Sequence, residues 1–122
     1  MARILLVDDE AIVLRAFAEV LALDHHDVTT ASNGNSALAA LAREAFDVVI
    51  TDVVMPDREG LETIIAMRKL SPELPIIAMS GGGHGSAADY LDLAAKLGAR
   101  KTLAKPFSPQ VLLDAVSDVL RR

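Results

Sequence analysis

Short apolar runs alternate with longer stretches in which apolar residues recur every three or four positions. The short runs are Arg3 to Val7, Asp27 to Ala31, Val48 to Thr51, Pro75 to Met79 and Thr102 to Ala104. They are rich in Val, Ile, Leu and Thr, and read as strands. Several are apolar at successive positions, the pattern of a strand covered on both faces. The longer stretches carry helical stripes: Val13, Phe17, Val20 and Leu21; Leu38, Leu41 and Ala42; Leu61, Ile64 and Ile65; Tyr90, Leu93, Ala94 and Leu97; Leu112, Ala115, Val116 and Val119. Asn33 and Ser108 suit helix N-caps, Pro109 a first helical position and Gly98 a helix C-terminus. Strand and helix alternate five times along the chain. This predicts an α/β fold with a doubly wound, five-stranded parallel sheet and helices on both faces, because each parallel crossover is right-handed and returns over the sheet.

A length of 122 residues leaves room for one domain, expected to span residues 1–122 with no output domain after it. Surface scaling puts roughly 6,300 Å² in solvent against about 18,700 Å² for the open chain, enough burial for a real core. The absence of cysteine excludes a disulfide scaffold, a thiolate zinc site and a cysteine nucleophile. No apolar run approaches the roughly 18 residues of a membrane span, and MARILLVDD meets acidic residues before any signal-peptide pattern develops, so a cytoplasmic protein is expected. The net charge of −5 argues against direct nucleic-acid binding. Residues 1–64 carry twelve acids and four bases, whereas 65–122 carry five acids and eight bases, so an acidic front half is expected to meet a basic back half.

In an open α/β sheet, ligands bind beyond the carboxyl ends of the strands. Those ends carry Asp8 and Asp9, then Asp52, then Ser80, then Lys105 followed by Pro106. Three clustered carboxylates repel one another, and a divalent cation removes the conflict. Hard oxygen ligands without cysteine or a neighbouring histidine suit Mg²⁺. Such a site keeps waters and completes its shell with phosphate oxygens, which implies a phosphoryl partner. Lys105 adds a positive charge, Ser80 a hydroxyl, and the backbone amides after Asp52 and Ser80 further donors, the set that stabilises phosphoryl transfer. A carboxylate flanked by metal and lysine can itself be the nucleophile, giving an aspartyl phosphate.

ILLVDDE at 4–10, DVVITDVVMP at 47–56 followed by Gly60, PIIAMSG at 75–81 and GARKTLAKPF at 98–107 together resemble the receiver domain of two-component response regulators over essentially the whole chain. The resemblance implies strand order 2-1-3-4-5 and phosphorelay signalling. Asp52 is then the phosphoacceptor for a histidine kinase or histidine phosphotransfer protein, in a switch that assists its own phosphorylation and dephosphorylation and is not otherwise an enzyme. It also implies direct Mg²⁺ ligation by Asp9 and Asp52, a mostly water-mediated role for Asp8, and the backbone carbonyl of Val54 as a further ligand. Ser80 and Lys105 would hold the phosphoryl group, with Lys105–Pro106 cis. Phosphorylation would change the face made by the fourth helix, fifth strand and fifth helix, read by an unknown downstream protein. Three departures stand out. Thr102 occupies a switch position usually held by Tyr or Phe, Arg58 stands where Met is common, and the fourth loop is about three residues longer than in shorter members. With no aromatic to swing, the switch is expected to run through ordering of residues 81–86.

Singly, each site residue has an ordinary alternative. Asp8 and Asp9 could cap a helix, Asp52 could form a turn, Ser80 could be a loop hydroxyl and Lys105 a solvated lysine. Met55, Met67 and Met79 read as packing residues, and His25, His26 and His84 as solvated. A Mg²⁺-dependent aspartyl phosphohydrolase is the enzyme alternative, but Val54 stands where that class has a second acid. A phosphorylation-independent binding module is the other, yet its usual mark, a missing metal acid, acceptor or lysine, is absent.

Overall fold

The computed structural model describes residues 2–53, 59–80 and 87–121. Ten elements alternate along them: β1 (Arg3–Val7), α1 (Ala11–Leu23), β2 (Asp27–Ala31), α2 (Gly34–Arg43), β3 (Val48–Asp52), α3 (Glu59–Leu70), β4 (Ile76–Ser80), α4 (Ala87–Lys96), β5 (Lys101–Ala104) and α5 (Pro109–Leu120). The strands form one parallel sheet in the order β2-β1-β3-β4-β5. β1 lies between β2 and β3, with Leu5 opposite Thr29 on one side and Val49 on the other.

Strand parity divides the core into two layers, because successive side chains point to opposite faces. Ile4, Leu6, Val48, Ile50, Ile77, Met79 and Leu103 meet Leu21 of α1 and Leu112, Ala115, Val116 and Val119 of α5. Leu5, Val7, Val49, Ile76 and Ala78 meet Ala37 and Ala40 of α2, Ile64 and Met67 of α3 and Ala94 of α4. Both faces being covered explains why β3 and β4 are buried at every position.

The caps follow the chemistry. Asn33 accepts from the Ser36 amide at 2.8 Å and Ser108 from the Val111 amide at 3.3 Å, each satisfying a donor that the first helical turn leaves open. Gly98 follows α4 with φ +116, a conformation that strains residues with a Cβ.

β3 and β4 extend one residue beyond the apolar runs and end on Asp52 and Ser80, which are strand-end residues as expected and not the turn or loop residues of the ordinary alternative. Several expectations need correction. Ala42, Ile65 and Leu93 are exposed; the neighbouring helices leave those sides open, and Ala37, Ala40 and Met67 take the core-facing places. His26 is not solvated: its side chain is 10% exposed, and Nδ1 accepts from the Ala2 amide at 3.1 Å, tying the β2 entrance to the start of β1. The two halves do not meet as opposite charges throughout. Lys101 pairs with Asp118 of its own half at 2.6 Å, and Arg68 donates to the carbonyls of Pro72, Leu74 and Gly98, each at 2.8 Å. Val54, Met55, Pro56, Arg58 and the segment 81–86 with His84 lie outside the described residues.

Candidate functional site

The same parity that builds the α1/α5 layer assembles the site. Asp8 continues the Ile4, Leu6 series, Asp52 the Val48, Ile50 series, and Lys105 follows Leu103 by two. All three therefore leave the sheet toward one face at its carboxyl rim. Asp8 and Asp52 are buried, at 0% and 3% exposure, while Asp9 is exposed.

The Lys105 ammonium lies 2.8 Å from Asp8 Oδ2 and 3.1 Å from Asp52 Oδ2. The other Asp8 oxygen accepts from the Glu10 amide at 2.9 Å, which fixes the turn into α1. Asp8 and Asp9 thus do not cap that helix; Glu10 occupies the cap position without a side-chain bond. Burial works to lower the Lys105 pKa, but its hydrogen bond to Asp8 and the charges of Asp52 and Asp8 outweigh that effect, and the net shift is upward. The lysine is a fixed cation at neutral pH.

Asp8, Asp9 and Asp52 each offer a carboxylate oxygen within 4.8 Å of the others. One ammonium against three carboxylates leaves an excess of negative charge in a partly buried, all-oxygen donor set, which fits a hard divalent cation such as Mg²⁺. Ser80 ends β4 next to Met79, which is in register with Asp52, and its carbonyl accepts from the Lys105 amide at 2.8 Å. Its hydroxyl is buried and has no hydrogen-bond partner among the described residues. The Lys105–Pro106 peptide is cis. Thr102 is exposed on β5, and the Val54 carbonyl lies outside the described residues.

The sequence model of the response regulator receiver domain matches residues 4–117. The chain belongs to this family. The receiver domain is 37% identical over 116 residues to the response regulator protein FleR of Pseudomonas aeruginosa, covering 95% of this chain and 24% of that protein. It is 36% identical over 122 residues to the transcriptional regulatory protein CpxR homolog of Haemophilus influenzae, covering 100% of this chain and 52% of that one. The chain thus spans from about a quarter to about half the length of these curated relatives. A crystal structure of a response regulator receiver domain protein from Clostridium thermocellum superposes with TM-score 0.91 at 34% identity, covering 100% of this chain and 96% of that one.

Two features of the receiver domain were not read from the sequence. Gly60, in the first turn of α3, is buried so close to β3 that a Cβ there would lie 2.6 Å from Val53 Cα, next to Asp52. The Gly60 position was visible; the close approach was not. Arg68 joins the end of α3 to the α4–β5 turn, and nothing local marks it among the other surface bases. Among the described residues, no helix is long and apolar enough to cross a membrane.

Proposed function

We propose that Asp52 is the phosphoacceptor of this receiver domain, charged by a histidine kinase or histidine phosphotransfer protein in the cytoplasm. The observation that carries this reading is the Asp52 carboxylate, buried at the strand end, with the Lys105 ammonium 3.1 Å away and oxygens of Asp8 and Asp9 within 4.8 Å. Asp8, Asp9 and Asp52 would hold Mg²⁺, which when bound supplies positive charge to the transferring phosphoryl oxygens.

The remaining chemistry belongs to the chain. An Asp52 oxygen attacks phosphorus as the donor's P–N bond breaks, leaving an acyl phosphate on Asp52. Lys105, shared with Asp8 in the resting state, can turn its ammonium to a phosphoryl oxygen. The buried Ser80 hydroxyl, without a protein partner among the described residues, can donate to another. These new contacts would alter the face formed by α4, β5 and α5, where exposed Thr102 lies, for a downstream protein to read.

Intact mass after incubation with a small phosphodonor, with and without Mg²⁺, tests the reading. One phosphoryl group should appear only with Mg²⁺, should be released in base, and should be absent in Asp52→Asn. A stable adduct in Asp52→Asn overturns the assignment. Sustained release of phosphate from a simple phosphomonoester would instead make the protein a phosphohydrolase.

A further inference from the structure

Lys105 lies one residue beyond β5, where the sheet ladder has ended. Its amide still donates to the Ser80 carbonyl at 2.8 Å, but Pro106 has no N–H to donate, and Pro106 and Phe107 make no backbone hydrogen bond among the described residues. The next anchor is the Ser108 cap of α5. The side chain on this weakly held stretch has an exacting task. Its ammonium bridges Asp8 and Asp52 at 2.8 Å and 3.1 Å, and a misplacement of about 1 Å in a reacting site can cost about a hundredfold in rate.

A ring stack supplies what the backbone lacks. Phe107 lies on Phe17 of α1, with ring centroids 5.2 Å apart and planes 19° from parallel. That separation falls within the favourable range for aromatic pairs, about 4.5–7 Å. Both rings are half-buried and pack against the α1/α5 layer of the core. α1 is itself tied to the site: one Asp8 oxygen accepts from the Glu10 amide at the start of the helix, the other from Lys105. A closed circuit therefore runs from the Lys105 ammonium through Asp8 to the start of α1, along the helix to Phe17, across the stack to Phe107 and back two residues to Lys105. Core packing alone asks only for an apolar side chain at residue 17. The circuit asks for a ring.

We propose that Phe17, through its stack on Phe107, is a positioning residue for Lys105 in phosphoryl transfer, an inference that rests on Asp52 being the phosphoacceptor. In the resting state the lysine is held at its tip by the two carboxylates and at its root by Ser80 and the stack. When the ammonium turns from Asp8 to a phosphoryl oxygen, that tip contact is given up and the root directs it. An aromatic pair is worth about two- to tenfold in an equilibrium, so losing it lowers the fraction of chains with Lys105 in place by up to about that factor.

Initial rates of Asp52 phosphorylation by phosphoramidate with Mg²⁺, followed by intact mass, test this. A donor so small docks on no helix, so the rate reports the site itself. Phe17→Leu keeps an apolar side chain and should slow the reaction about two- to tenfold; Phe107→Leu should do the same, and Phe17→Tyr, which keeps the ring, should recover most of the rate. In a Lys105→Met background, Phe17→Leu should change the remaining rate by less than about twofold, because the residue it positions is gone. Circular dichroism shows that each variant is folded under the assay conditions. An unchanged rate in Phe17→Leu, a Phe17→Tyr rate no better than that of the leucine variant, or the same fold loss with and without Lys105 overturns the proposal. If the parent takes up no phosphoryl group, the assignment of Asp52 fails instead, and the positioning of Lys105 is judged on the same variants by urea unfolding in metal-free buffer. There the loss from Lys105→Met should be smaller in the Phe17→Leu background, and additive losses overturn the proposal without any phosphorylation.

Discussion

Replacing Gly60 by alanine tests whether the seating of α3 against β3 holds the Asp52 end of that strand. The added Cβ would lie 2.6 Å from Val53 Cα, 2.7 Å from its carbonyl oxygen and 2.8 Å from its carbonyl carbon. Ordinary carbon contacts begin near 3.5 Å, so about 1 Å of movement is required. Neither side yields freely. The Val53 amide donates to the Met79 carbonyl at 2.9 Å, which ties that backbone to β4, while Ile64 and Met67 anchor α3 in the core. Overpacking of this kind costs about 1–3 kcal/mol. The higher helix propensity of alanine returns at most about 1 kcal/mol. The expected net loss is about 1–2 kcal/mol, which at a urea dependence near 2 kcal/mol per molar lowers the unfolding midpoint by about 0.5–1 M. Because Val53 follows Asp52 directly, Mg²⁺ titration of the variant should also show weaker binding. A Gly60→Ala variant as stable as the parent, with unchanged Mg²⁺ affinity, would refute the reasoning: α3 would then be free to slide, and the close approach would carry no energetic weight.

Lys105→Met leaves Asp8 and Asp52 side by side without their cation, so in metal-free buffer it should destabilise the fold by about 3 kcal/mol, and Mg²⁺ should recover much of this; equal losses in urea titrations with and without Mg²⁺ would show that the lysine does not neutralise the carboxylates. The Lys105 pKa is raised in the folded protein, so its stabilising contribution is complete below the unfolded value of about 10.4 and is lost as pH rises through the folded value. Metal-free parent and Lys105→Met should therefore converge in stability only in strong alkali, and convergence near neutral pH would contradict the ion pairs. Asp9→Ala removes the exposed carboxylate of the proposed Mg²⁺ site, one that joins no ion pair among the described residues, so calorimetry should show most Mg²⁺ affinity lost with the urea midpoint little changed. Arg68→Ala strands the carbonyls of Pro72, Leu74 and Gly98 and should cost about 1–3 kcal/mol, and Arg68→Lys should recover only part of it, since an ammonium lacks the planar fork that reaches two loops at once. Full recovery with lysine would reduce the contact to simple charge.

Local pattern determined the alternation of strand and helix, the caps at Asn33 and Ser108, and the turn at Gly98, because each depends on residues within a few positions of one another. The parallel sheet followed from that alternation, and the order 2-1-3-4-5 from the four motif blocks taken together. Asp8, Asp9, Asp52, Ser80 and Lys105 could be named because strand ends of such a sheet share one rim. What the chain pattern could not supply was any relation across the fold. Helical spacing left several faces open, so Ala42, Ile65 and Leu93 were placed inward although packing exposes them. His26 looked like part of a polar turn until the start of β1 arrived to donate to it. Asp8 became the buried partner of a lysine 97 residues away, a separation at which only the closed sheet can set a distance of 2.8 Å. Gly60 is likewise a spatial requirement: the space its missing Cβ leaves is filled by the Val53 backbone, and that neighbour exists only once α3 has packed on the sheet. Periodicity reports which way a side chain points from its own backbone, whereas exposure, ion pairing and close approach depend on what the rest of the chain brings to that side.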